Sequence, residues 1–245
     1  TVDRQMMMET IFSKTNIVAL IEGIFTSMYM GSLTILFLPY IQTEPHNISP
    51  LATGIFLALF GLTGGLIINL LLARLSDNMS KEKSENRLYL IIFSVGGGAL
   101  TFVLLFFIPL PELTVEQGND ILFIFSHPII WLMGLIYVTT SSISALYDIN
   151  QPPILQEINL PEAQGQIMAI NRLLESIGFG SGPLIAGILI YFTNQNYQIV
   201  ALLISLFSIP GTILWIFGIH WYQEDSKKIR KILLERAQEL KNENS

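Results

Sequence analysis

Six apolar runs, each long enough to cross a bilayer, dominate this chain: Asn16 to Ile41, Leu51 to Leu75, Leu88 to Leu110, Ile121 to Tyr147, about Gly165 to Phe192, and Asn196 to about His220. A hydrocarbon core of ~30 Å needs roughly 20 helical residues, and every run meets that length. No water is present there to bond a free N–H or C=O, so each run is expected to be a helix. The expected fold class is all-α integral membrane, with six transmembrane helices. Composition agrees, with 51% hydrophobic and 13% charged residues, against roughly a quarter charged in a soluble domain. The net charge of -6 says little, because nearly all of it lies between the runs. No basic face is long enough to follow a nucleic-acid backbone, and the chain has no cysteine for disulfide or thiolate chemistry.

The basic residues orient the helices. They fall before the first run (Arg4, Lys14), between the second and third (Lys81, Lys83, Arg87) and after the sixth (Lys227, Lys228, Arg230, Lys231, Arg236, Lys241). Arg74 stands at the inner edge of the second run and Arg172 within the fifth, while the three opposite loops carry neither Lys nor Arg. The positive-inside rule therefore predicts a multi-pass protein of the cell (plasma) membrane with both termini in the cytoplasm. Tyr40, Tyr89, Tyr147, Tyr191, Tyr197, Trp221 and Tyr222 are expected at the membrane–water boundaries. Residues 1–15, with Met6, Met7, Ile11 and Phe12, read as a cytoplasmic linker, part of it an interfacial helix. Residues 16–222 form the six-span bundle. In residues 223–245, Ile229, Ile232, Leu233, Ala237 and Leu240 recur at helical spacing, predicting a separate amphipathic tail capped by Asp225 or Ser226. A polar, proline-bearing loop is expected from Gln151 to the start of the fifth span. The start at Thr1, with no secretory signal pattern, suggests a chain cut from a longer one.

Charges inside the spans are the candidates for function, because ionised groups in a bilayer face a bundle interior or a watery cavity. Along the fifth span Met168, Asn171, Arg172, Glu175, Gly178, Phe179 and Gly182 share one face, and Ile170, Leu173, Leu174 and Ile177 the lipid side. Arg172 and Glu175, three apart, can pair. Glu22 lies about 9 Å from the inner edge of its span and Glu175 about 15 Å. A buried carboxylate beside an arginine can take up or release a proton as its access to water changes, or it can be a structural ion pair; both readings stand. His127, near the outer end of the fourth span, can titrate or bond a ligand. Gly61 with Gly65, and Gly178 with Gly182 and Pro183, suit close helix contacts. No nucleophile elbow, phosphate loop or histidine pair at ligand spacing occurs, so no enzyme, metal or cofactor is expected.

The run L-P-E-A-Q-G-Q-x-x-A-I-N-R-L, followed by G-x-G-S-G-P-L-x-A-G, resembles the passage from fourth to fifth helix in a six-helix half of a major facilitator superfamily transporter. Arg74-Leu75-Ser76-Asp77, with Arg87 further on, resembles that family's motif between second and third helices. Asp77 matches the motif's aspartate, Ala73 and Asn78 replace its glycine and arginine, and an insertion, KEKSEN, precedes Arg87. The resemblance implies a C-terminal six-helix half built as two three-helix repeats, in a protein that transports a small solute by alternating access, as symporter or antiporter. It implies that Glu22, Tyr29, His127 and Trp131, on the first and fourth spans, border the substrate path with Asn171, Arg172 and Glu175. Asp77, Arg74 and Arg87 would latch helix ends at the cytoplasmic face. The implied partners are the lipid bilayer, a small-molecule substrate, and an N-terminal six-helix half or a second copy of this chain. A self-associating six-span protein and a non-transporting membrane subunit or sensor remain alternative readings.

Overall fold

A computed structural model describes residues 11–243 of the chain. Met6, Met7 and Arg4 lie outside the described residues; of the expected N-terminal segment, Ile11 is buried and Phe12 exposed. Among the described residues there is no strand, and six helices are long and apolar enough to cross a membrane. Spans 1 to 6 are Lys14–Gln42, Pro50–Lys81, Asn86–Phe106, Pro128–Glu157, Pro161–Phe192 and Tyr197–Asn242.

Their starts follow local chemistry. Ser13 and Ser49 cap spans 1 and 2 by accepting from the N–H groups of Asn16 and Ala52, at 3.4 and 3.3 Å. Spans 2, 4 and 5 each open on a proline, whose missing N–H costs nothing in the first turn. The fourth span begins at Pro128 and not at Ile121. Ile121–Ser126 is a separate short helix, and His127 is extended, as expected of a residue whose α conformation a following proline disfavours. Inside span 2 the backbone is π-helical over Leu57–Gly61 and Thr63–Ile68, a rare winding that is usually confined to single turns.

Two expected loops are largely helix instead, and the tail expected as a separate helix is continuous with span 6. The charged stretch after span 2 stays helical to Glu82, leaving a short turn before Asn86. Span 4 runs on through Pro152 and Pro153 to Glu157, so only Ile158, Asn159 and Leu160 separate it from span 5. The sixth span breaks at Leu206 and Phe207, then continues unbroken from Ser208 to Glu243. Asp225 and Ser226 therefore cap nothing. Asp225 accepts from the Thr15 N–H at 3.1 Å, and Ser226 donates to Glu157 at 3.1 Å. Glu157 also accepts from Tyr222 and Arg230, and Arg236 pairs with Glu162 at 2.6 Å. These bonds pin the tail across the basic end of spans 4 and 5. Tyr222 and Tyr147, expected at the lipid boundary, are both 1% exposed, because each hydroxyl is spent on an internal carboxylate.

Span 1 packs on span 5 and span 4 on span 2; span 3 packs on span 4 and span 6 on span 1. Exchanging 1 with 4, 2 with 5 and 3 with 6 maps this set of contacts onto itself. That exchange is the signature of two three-helix repeats. Two apolar clusters fill the bundle, one toward the end free of Lys and Arg (Leu36, Phe37, Phe102, Val200) and one toward the basic end (Val18, Ile91, Ile154, Trp215). Between them lies a layer of buried polar side chains.

Candidate functional site: a polar layer opening on a cavity

The layer exists because glycines let spans 1 and 5 nearly touch. A Cβ at Gly178 would overlap the carbonyl of Ile24, one at Gly182 that of Met28, and one at Gly31 that of Phe179. On span 1, Gly23 opens the slot that the polar groups fill. A Cβ there would stand 3.3 Å from Glu175 Cγ, 3.4 Å from the Tyr147 hydroxyl and 3.5 Å from Asn171 Oδ1. Gly61 and Gly65 play no such part. A Cβ at Gly61 would meet only Tyr137 Cε1, at 3.6 Å, and one at Gly65 nothing within 4 Å. The close approach on span 2 is Gly64, against Val138 and Ser141 of span 4.

Glu22, fully buried, accepts from Thr26 and, on Oε2, from the Tyr147 hydroxyl at 3.0 Å. That hydroxyl accepts from Gln151 Nε2 at 2.6 Å. The amides of Gln151 and Asn171 bond reciprocally at 3.1 and 3.3 Å. Asn171 Nδ2 then donates to Glu175 Oε1 at 2.8 Å, and Arg172 donates to Glu175 Oε2 at 2.8 Å. One hydrogen-bonded chain therefore joins two carboxylates on spans 1 and 5 through side chains of spans 4 and 5. The Trp215 indole sits beside Glu22, outside hydrogen-bonding geometry. Satisfying buried polar atoms in this way is what makes such a layer tolerable in an apolar bundle.

At the Glu175 end the chain reaches a cavity of about 440 Å³. Ser27 and Met30 of span 1, Tyr147 and Asp148 of span 4, and Arg172, Glu175, Ser176 and Phe179 of span 5 line it. Arg172 and Phe179 belong to this wall: the Arg172 side chain is 56% exposed and Phe179 55%, whereas Asn171, Glu175, Gly178 and Gly182 are buried. The expected single face thus divides into a buried seam and a cavity flank.

Of the residues singled out in the sequence, Glu22, Asn171, Arg172 and Glu175 come together. Tyr29 does not reach the cavity. It is 2% exposed, its ring packs on Phe102 at 6.3 Å and its hydroxyl pairs with Ser144 at 3.3 Å. His127 and Trp131 sit at the other end of span 4, where His127 bonds the Phe123 carbonyl at 2.8 Å and Trp131 that of Phe125 at 2.8 Å. Seventeen residues of helix, about 25 Å, separate Trp131 from Asp148. Tyr147, Asp148 and Gln151 were missed. Pro152 and Pro153 make this stretch look like a loop, yet the helix continues, with Gln151 one turn on from Tyr147 and Asp148 beside it on the cavity wall.

At the basic end Arg87 pairs with Asp77 at 2.8 Å and reaches Asn150 Oδ1 of span 4 at 3.3 Å. Ser76 donates to the same Asn150. The insertion is taken up by extra helix, so Arg87 still meets Asp77, while Arg74 takes no part in the cluster.

Six bilayer-length helices in two related repeats, around a polar layer that opens on a cavity, define a multi-pass membrane protein of transporter type. The chain belongs to the major facilitator superfamily, whose family model, Major Facilitator Superfamily, matches residues 20–241. No curated protein and no solved structure matches it. As a member of that family it is a membrane transporter.

Proposed function

We propose that this chain is one six-span half, the C-terminal one, of a secondary transporter that moves a small solute by alternating access. The cavity between spans 1, 4 and 5 is its share of the substrate path. The observation that carries this reading is the continuous polar chain from Glu22 to Arg172, ending on a cavity at mid-depth of the bundle. Paired or not, charged groups at that depth mark a pathway more often than a lipid surface. A second six-span unit, either an N-terminal half or another copy of this chain, closes the open side. Both termini lie in the cytoplasm of a plasma-membrane protein, since every inter-span Lys and Arg stands at one end.

Because the chain has no cysteine, a single Ser176→Cys substitution provides a direct test. Ser176 lines the cavity; Leu173, 61% exposed on the same helix, faces lipid. A membrane-impermeant thiol reagent should label Ser176→Cys in vesicles and leave Leu173→Cys unlabelled. Labelling of neither position from either side would overturn the reading. Uptake of a panel of labelled solutes under an imposed proton gradient then tests transport itself, with Glu175→Gln separating a coupling role from a structural one.

A further inference from the structure

The charges around the cavity do not balance, and the imbalance points to the ligand. Three acidic or basic side chains border it: Asp148, Arg172 and Glu175. The guanidinium is committed to Glu175, at 2.8 Å. Asp148 faces the cavity and makes no hydrogen bond or ion pair among the described residues, although the Arg172 and Glu175 charges both act on it. Should Arg172 swing to Asp148, Glu175 would be left without its cation, so two carboxylates share one cation in either arrangement. Glu22 stands behind Tyr147, bonded to its hydroxyl and away from the cavity wall. Asp148 is exposed to the cavity, so water holds its charge until a solute displaces that water. The apolar part of the wall is the thioether of Met30 and the ring of Phe179, beside the hydroxyls of Ser27, Tyr147 and Ser176, and such apolar surfaces accept an alkylammonium or aryl-bearing cation.

We infer that the cavity takes an organic cation, its positive group on Asp148 and its apolar body against Met30 and Phe179. The inference rests on the reading of the cavity as the substrate path. An anionic solute would set three negative groups against one guanidinium. A neutral solute would take water from Asp148 and put no cation in its place, so that the carboxyl would have to take up a proton. The cavity volume, about 440 Å³, lies in the range usual for small-molecule sites.

The test uses protection of Ser176→Cys from the thiol reagent, with three probes of similar size: benzyltrimethylammonium, neutral neopentylbenzene and benzenesulfonate. Labelling without any probe reports the cavity itself, so failure at that step falls on the transport-path reading and not on the ligand class. With labelling established, benzyltrimethylammonium should protect and the other two should not. Adding Asp148→Asn should weaken protection about tenfold or more, the loss expected when a partly desolvated ion pair is removed. Asp148→Glu should retain it, and both variants should melt as the parent does, because Asp148 bonds nothing within the bundle. Equal protection by the neutral or anionic probe, protection indifferent to Asp148→Asn, or no protection by any probe would each overturn the inference.

Discussion

Replacing Tyr147 by phenylalanine removes one oxygen from the centre of the polar layer and almost no volume. The side chain is 1% exposed, and its hydroxyl makes two bonds, donating to Glu22 Oε2 at 3.0 Å and accepting from Gln151 Nε2 at 2.6 Å. Gln151 Nε2 keeps a second acceptor in Asn171 Oδ1 at 3.3 Å. Glu22 Oε2 keeps none among the bonds described, since Thr26 occupies Oε1. The ring stays, so no cavity term enters. Besides the Gln151 bond, what is lost is one bond to an ionisable group, worth about 1.5–3 kcal/mol, with its buried acceptor left unmet. Tyr147→Phe should therefore cost about 2–4 kcal/mol, read from equilibrium unfolding in detergent by circular dichroism. A cycle with Glu22→Gln should show a coupling of about 1 kcal/mol or more, because the two side chains share one bond. A cost below about 0.5 kcal/mol, or strict additivity with Glu22→Gln, would refute the layer as a connected network.

Other outcomes follow from the same geometry. Gly182→Leu should lower the unfolding temperature sharply, because its Cβ would already overlap the Met28 carbonyl, whereas Gly65→Leu should be nearly neutral, with nothing within 4 Å to displace; equal effects in the same thermal assay would contradict the packing described. Arg172→Met alone should destabilise the bundle by leaving Glu175 unpaired, and Arg172→Met with Glu175→Leu should recover much of the loss; a double variant as unstable as the single would remove the ion-pair argument. A cysteine at position 83 should react with an impermeant reagent from the cytoplasmic side only, and reaction from outside would reverse the topology.

The spans and their number were legible because hydrophobic length is set by the bilayer and not by neighbours. The boundary errors share one cause: a proline or a charge ends a helix in water, but packing can carry a helix past either. Pro152 and Pro153 sit in a helix end held by Glu157, which Tyr222, Ser226 and Arg230 engage from the sixth span. Those bonds, between residues more than sixty positions apart, are invisible to any local pattern. Ending the fourth span at Tyr147 and expecting a loop from Gln151 removed Asp148 and Gln151 from view, and with Gln151 a link that joins Glu22 to Glu175.

Depth along a helix was legible where direction was not. Glu22, Arg172 and Glu175 stand out by charge alone, and helical spacing puts Asn171 with them. Whether Tyr29 or Tyr147 meets Glu22 depends on how spans 1 and 4 rotate against each other, and that rotation is set by close backbone contacts. Gly64 rather than Gly65 is the position where span 2 closes on span 4, and the π-helical winding of span 2 bears on this directly. A π turn advances a residue by less than the 100° of an α-helix, so α-periodic reading misplaces faces within such a stretch. A Cβ at Gly61 meets only Tyr137 and one at Gly65 nothing within 4 Å, while one at Gly64 between them meets Val138 and Ser141. The sequence pattern thus locates the polar layer, and the glycine contacts decide which side chains close it.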